Sequence, residues 1–178
     1  LAHFRAIADA SPLPVVVYNV PGRTGSNIEA ETTLALAEHA NIVAVKEASG
    51  NLAQITEIIR HAPAGFRTLS GDDGMTLAVM AAGGHGLISV VSNVAPAALA
   101  RLCDLAREGD MEGARTLHLR LHALCQAAFC ESNPLPIKAA LAMMGRMGNH
   151  LRLPLVPMHT KFDALLRTSL VEAGVLPA

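Results

Sequence analysis

Lys46 is the residue of this sequence best placed for covalent chemistry. It closes the apolar run Ile42-Val43-Ala44-Val45 and precedes Glu47-Ala48-Ser49-Gly50-Asn51, which ends in turn formers. Such a run, rich in β-branched residues, predicts a strand buried on both faces. Lys46 then falls at the C-terminal end of the strand, where parallel α/β folds build their sites. A lysine there loses hydration, which penalises its charged form, and a neutral amine can attack a carbonyl to form a Schiff base. The plain alternative is a lysine that snorkels to solvent or pairs with Glu47. Tyr18, the only tyrosine, ends the run Val15-Val16-Val17. Strand side chains alternate, so Val16 and Tyr18 share one face and Ala44 and Lys46 share another. If those faces point into a barrel, phenol and amine meet at its mouth. There the phenol can relay protons to and from a carbinolamine; in a core it needs only a backbone partner. Arg23, in Pro21-Gly22-Arg23-Thr24-Gly25, carries a fork suited to a carboxylate, or is a solvated loop residue.

The elements that must position these groups follow from periodicity and punctuation. Leu1, Phe4, Ile7 and Ala8 have helical spacing, so the chain opens inside a helix with no strand before it. A natural domain of this class begins with a strand, so the expectation is a fragment lacking its N-terminal portion. Strands are expected over 15–20, through Lys46, over 66–70 and over 86–91. Ser26 and Glu29 have capping-box spacing, predicting a helix through about His39. Further helices are expected over 52–61, with Ile55, Ile58 and Ile59 on one face, over 75–82 behind Asp72 and Asp73, and from Pro96 to Gly109. Four strand-then-helix units with short loops imply right-handed parallel crossovers, in a barrel or an open doubly wound sheet. No G-x-G-x-x-G follows any strand, which leaves the dinucleotide version of the open sheet unsupported. Beyond Gly109 only helices remain, near 110–130, 136–147 and 160–173. The organisation expected is thus a partial (β/α)8 barrel over 1–109 and a helical extension over 110–178.

Bulk properties exclude several classes. Hydrophobic residues make up 51% of the 178, yet no uninterrupted apolar run approaches the roughly 18 residues of a membrane span. A formal net charge of −1 without a basic stripe, and only 3% aromatics, argue against a nucleic-acid partner. Three cysteines are no disulfide framework, and no signal peptide opens the chain, so a cytoplasmic setting is expected.

Several stretches together resemble the dihydrodipicolinate synthase family, within the pyruvate-dependent class I aldolases and lyases on the TIM barrel. They are Tyr18-Asn19-Val20-Pro21-Gly22-Arg23-Thr24-Gly25, Val45-Lys46-Glu47-Ala48-Ser49-Gly50-Asn51 and Ser70-Gly71-Asp72-Asp73. Gly83-Gly84-His85-Gly86-Leu87-Ile88-Ser89-Val90 and Glu131-Ser132-Asn133-Pro134-Leu135-Pro136-Ile137-Lys138 complete the set. The resemblance implies the C-terminal half of a TIM barrel plus a helical extension. It implies a lyase that condenses pyruvate with L-aspartate 4-semialdehyde, the first committed step of diaminopimelate and lysine biosynthesis. Lys46 would form the Schiff base, Tyr18 would belong to a proton relay, and Arg23 would bind the aldehyde substrate's carboxylate. Gly71 and Ile88 would line the pyruvate pocket through backbone groups. No cofactor is implied beyond the covalent imine on Lys46, and the full-length protein would be a homo-oligomer, dimer or tetramer. A threonine pair and a second tyrosine of the relay belong to strands absent from this sequence. Sialic acid lyases are similar but lack an arginine in the Arg23 loop, which favours the synthase over an aldolase of 2-keto-3-deoxy sugar acids. A non-catalytic half-barrel is the remaining alternative.

One rival constellation is a metal face. His118 and His122 are spaced i, i+4 with Cys125 near by, but Leu119 stands where an H-E-x-x-H motif has glutamate and no second cluster completes a shell. No metal is expected.

Overall fold

A computed structural model of the chain describes residues 1–177, which form two compact units, the first over 1–88 and the second from Ser89 onward. All four strands lie within the first unit, and residues 89–109 fall in the second.

The first unit opens with α1 (Ala2–Ala10), followed by β1 (Val15–Asn19), a one-turn helix α2 (Pro21–Thr24) and α3 (Ala30–Ala37). Then come β2 (Ile42–Glu47), α4 (Leu52–His61), β3 (Arg67–Ser70), α5 (Thr76–Ala81) and β4 (Gly86–Leu87). The four strands are parallel and stand in the order β1-β2-β3-β4. Each strand pairs with the next in sequence and the order never reverses. That is the progression of a (β/α) barrel, without the switch point of a doubly wound sheet. Val17 of β1 and Val45 of β2 face the helices, packing with Ala8, Leu36, Ala37, Ile42, Ile58 and Phe66. On the other face of β1, Val16 and Tyr18 remain exposed.

Two local expectations are corrected. Ser26 and Glu29 form no capping box: Pro21, at N1, starts α2 where a loop was expected, and α3 begins at Ala30 without a side-chain cap. The reason lies in Asn19, whose Oδ1 accepts the Ile28 amide at 2.9 Å, while Glu29 is extended and 26–29 stays outside the helix. The fourth strand stops at Leu87 instead of Val91. Its partner β3 ends at Ser70, so the ladder closes with the Ile88 amide donating to the Ser70 carbonyl at 2.9 Å, and Val91–Asn93 turns into a 3-10 helix.

The second unit is helical among its described residues. Its helices are α6 (Pro96–Glu108), α7 (Met111–Ala127), α8 (Leu135–Met143) and α9 (Asp163–Glu172). Helix α7 packs against α6 and α9, burying Leu99, Leu102, Leu121, Leu124, Leu166 and Leu170. Gly109, at φ +85°, ends α6 in the left-handed conformation that glycine adopts without penalty. No helix among the described residues is long and apolar enough to cross a membrane.

Candidate active site

The C-terminal ends of β1 and β2 bring Tyr18 and Lys46 together. The two are direct register partners on adjacent strands and share the face turned away from the helices. Lys46 Nζ stands 4.0 Å from the centroid of the Tyr18 ring, within range of a cation–π contact. Tyr18 is 44% exposed and Lys46 is half-buried, so the pair is only partly withdrawn from solvent. Lys46 does not pair with Glu47, because neighbouring strand residues point to opposite faces.

Gly71 lies where β3 gives way to its loop. Its amide donates to the Glu47 carbonyl at 2.7 Å. A Cβ added there would stand 2.7 Å from the Ala48 Cβ and 3.1 Å from the Glu47 carbonyl oxygen, so only glycine lets the backbones approach this closely. Past it, Ser70 Oγ donates to the Asp72 carbonyl, and Asp72 Oδ1 caps the next turn by accepting the Gly74 amide at 2.8 Å. Ile88 follows the end of β4 with an exposed side chain. Arg23 sits exposed in the last turn of α2, directly after β1. All five candidates therefore belong to strand ends or to the segments directly after them, and Tyr18 and Lys46 are the pair placed in mutual contact.

Behind that pair runs a buried polar network that the residue-by-residue reading missed. Glu47 is 1% exposed and Asn19 is fully buried. Glu47 Oε1 accepts from Asn19 Nδ2 at 2.9 Å and from the Ser49 amide at 2.9 Å, while Oε2 accepts from Gln54 Nε2 at 2.8 Å. Asn27 extends the network, accepting from Asn19 Nδ2 at 2.9 Å and donating to Gln54 Oε1 at 2.8 Å. The signal available in the sequence was parity: Asn19 and Glu47 are polar residues at positions in phase with Val17 and Val45, which face the helices.

The histidine pair of α7 stands without a third residue of ligand type beside it among the described residues. Their ring centroids lie 6.4 Å apart, and no group of three His, Cys, Asp or Glu side chains among the described residues is arranged to hold an ion. Burial pushes the His118 pKa down, and the neighbouring His122 adds to the effect. In the motif Glu131 to Lys138, Glu131 Oε2 accepts the His159 amide at 2.7 Å and Lys138 Nζ donates to the His150 carbonyl at 2.7 Å, both tying loops of the second unit.

Comparison with known proteins agrees along almost the whole chain. Residues 1–173 match the model of the dihydrodipicolinate synthetase family. The chain is 52% identical over 174 residues to the 4-hydroxy-tetrahydrodipicolinate synthase of Koribacter versatilis, covering 98% of this chain and 58% of that protein. It is 46% identical to the synthase of the same name from Ralstonia nicotianae, covering 98% of this chain and 59% of the other. It thus spans about three-fifths of the length of these relatives. Among solved structures, dihydrodipicolinate synthase from Thermotoga maritima superposes with a TM-score of 0.95 at 44% identity, over 98% of this chain and 61% of the other. The chloride-inhibited enzyme from Acinetobacter baumannii, complexed with pyruvate, gives 0.95 at 39% identity, over 98% and 60%.

Proposed function

Because the chain belongs to the dihydrodipicolinate synthetase family, we propose that it supplies the Schiff-base half of a lyase that condenses pyruvate with L-aspartate 4-semialdehyde. The observation that carries the reading is the Lys46 amine standing over the Tyr18 ring at the ends of two paired parallel strands. The relative crystallised with pyruvate supports a keto acid as the first substrate.

In this reading Lys46 Nζ, as the free amine, adds to the pyruvate ketone carbon to give a carbinolamine. Tyr18 moves the protons that let the hydroxyl leave as water, and a protonated imine remains. The imine draws electrons from the neighbouring methyl carbon, which loses a proton and becomes the nucleophilic end of an enamine. That carbon attacks the aldehyde of the semialdehyde, whose carboxylate the Arg23 fork holds. The amino group of the second substrate then adds to the imine carbon and displaces Lys46, which returns to the amine. The backbones at Gly71 and Ile88 line the pyruvate pocket. The imine is its own electron sink, so the scheme calls for no metal or organic cofactor. A cytoplasmic homo-oligomer acting in diaminopimelate and lysine biosynthesis completes the proposal.

The test is reductive trapping in the full-length natural protein. Incubation with pyruvate and borohydride should leave a reduced adduct on Lys46, located by mass spectrometry, and Lys46→Arg should abolish it. Absence of the adduct overturns the Schiff-base assignment. Turnover of a 2-keto-3-deoxy sugar acid with the semialdehyde ignored overturns the role of Arg23.

A further inference from the structure

We infer that Glu47 is a positioning residue for the Lys46–Tyr18 pair, acting through its buried network and never touching substrate; the inference rests on the Schiff-base reading given above. Glu47 is a carboxylate with 1% exposure whose side-chain partners are Asn19, Gln54 and the Ser49 amide, none of them cationic. Burying a carboxylate without a cation is costly, and apolar side chains of similar volume would fill the space at lower cost. What those side chains would not do is fix the strand ends to one another. Asn19 directly follows Tyr18, Glu47 directly follows Lys46, and the Asn19–Glu47 hydrogen bond spans the two strands at the very next register pair. The Ala48 amide donates to the Asn19 carbonyl at 2.9 Å immediately beyond, so side chain and backbone close the same corner. Gln54 fastens the corner to α4, donating to Glu47 Oε2 and also to the Ile28 carbonyl at 3.2 Å.

The donor–acceptor pattern admits one arrangement only. Both carboxylate oxygens accept, and every group around them donates. Glu47→Gln removes one acceptor and turns an amide NH2 toward another donor. Gln54 cannot simply reverse to meet it, because its own oxygen already accepts from Asn27. The misfit therefore spreads through Asn27 and Asn19 to the strand ends. Moving the acid across the network restores the pairing between 47 and 54: in Glu47→Gln/Gln54→Glu, the new carboxylate accepts from the amides of residues 47 and 27, at the loss of the bond from residue 54 to the Ile28 carbonyl.

The experiment follows two quantities in the full-length natural protein and in each variant: the rate of borohydride-trapped pyruvate adduct at Lys46 under saturating pyruvate, and hydrogen exchange of peptides covering 15–30 and 42–52. Glu47→Gln should slow adduct formation by about 10- to 100-fold, the scale of an ångström-level misplacement of a reacting group, and speed exchange in both peptides. The exchanged pair Glu47→Gln/Gln54→Glu should recover part of both, the lost bond to the Ile28 carbonyl accounting for the remainder. Ile58→Val, a core change on the same helix, should lower the melting temperature with neither effect. Gln54→Met, which removes one donor from the helix side, gives the same readouts if Glu47→Gln does not fold, with slower trapping again expected. Trapping within twofold of the parent in a folded Glu47→Gln or Gln54→Met protein overturns the positioning role. So does a slowing that Ile58→Val reproduces. A parent protein that traps no pyruvate overturns the functional reading instead, and unchanged exchange in the two peptides would then overturn the positioning role independently.

Discussion

Replacing Gly71 by alanine tests how tightly the ends of β2 and β3 must meet. Gly71 lies outside the left-handed region, so the substitution probes contact and not backbone strain. The new Cβ would stand 2.7 Å from the Ala48 Cβ, whereas ordinary contact begins at 3.4 Å, so the two must part by about 0.7 Å. Ala48 Cβ is bonded straight to the backbone and cannot swing aside. The backbone must move instead, against the Gly71 amide bond to the Glu47 carbonyl at 2.7 Å. Overpacking of this kind costs about 1–3 kcal/mol. For a chain of 178 residues that is a fall in Tm of roughly 2 to 12 °C. Thermal melts of Gly71→Ala, Ala48→Gly and the double variant form a cycle. Removing the Ala48 Cβ relieves the shorter contact but leaves the Glu47 oxygen at 3.1 Å, so partial rescue is expected, with a favourable coupling of about 0.5 kcal/mol or more. A Gly71→Ala protein that melts with the parent, or two effects that simply add, would refute the close-approach argument.

Three further outcomes are expected. Asn51→Ala should cost about 0.5–2 kcal/mol in a urea or thermal melt, because Asn51 Oδ1 accepts the Gln54 amide at 3.1 Å and caps α4; no measurable loss would deny the cap a role. His118 should titrate below 6.5 by NMR, chiefly through burial, and His122→Ala should move it part of the way back. Stability tied to His118 is accordingly intact above 6.5 and is lost as pH falls through its lowered folded value; a His118 that titrates at 6.5 or higher contradicts this. Burial pushes the Cys130 thiol above its ordinary 9.0, so the pH–rate profile for iodoacetamide should have its midpoint above that value, and a midpoint at or below it contradicts the burial argument.

The alternation of residues along β1 and β2 carried most of what could be read in advance. It put Tyr18 and Lys46 on one face of their strands, and the register places them opposite each other. The apolar stripe of α4 was equally plain: Ile55 and Ile58 are buried as expected, and Ile59 is half-buried. Where the reading went astray, a distant partner overrode a local signal. Ser26 and Glu29 have the spacing of a cap, but Asn19, from the preceding strand, claims the Ile28 amide, and the segment stays outside the helix. Val90 and Val91 look like strand residues, yet β3 has already turned away at Gly71 and leaves them no ladder to join. Neither event leaves a mark in the residues next to it. The Glu47 network was legible in part, since two polar residues in phase with core valines require partners. Which partners they have depends on α4 and on the loop at Asn27, and those are set by tertiary packing.

The parity that aims Tyr18 and Lys46 also explains why a polar network, costly as it is, sits behind them. A strand slip of a single residue exchanges its two faces. On β2 that slip would turn Lys46 toward α4 and carry Glu47 to the side of Tyr18, removing the amine from its open face. The buried contacts of Val45 with the helices already oppose the slip, since Ala44 in its place would leave them unfilled. The Asn19–Glu47–Gln54 hydrogen bonds add to that opposition, since a slipped strand would carry the Glu47 carboxylate away from the Asn19 and Gln54 amides and leave it unpaired. The penalty for the wrong register thus falls on the residue beside the nucleophile, and register and chemistry are set at the same point of the chain.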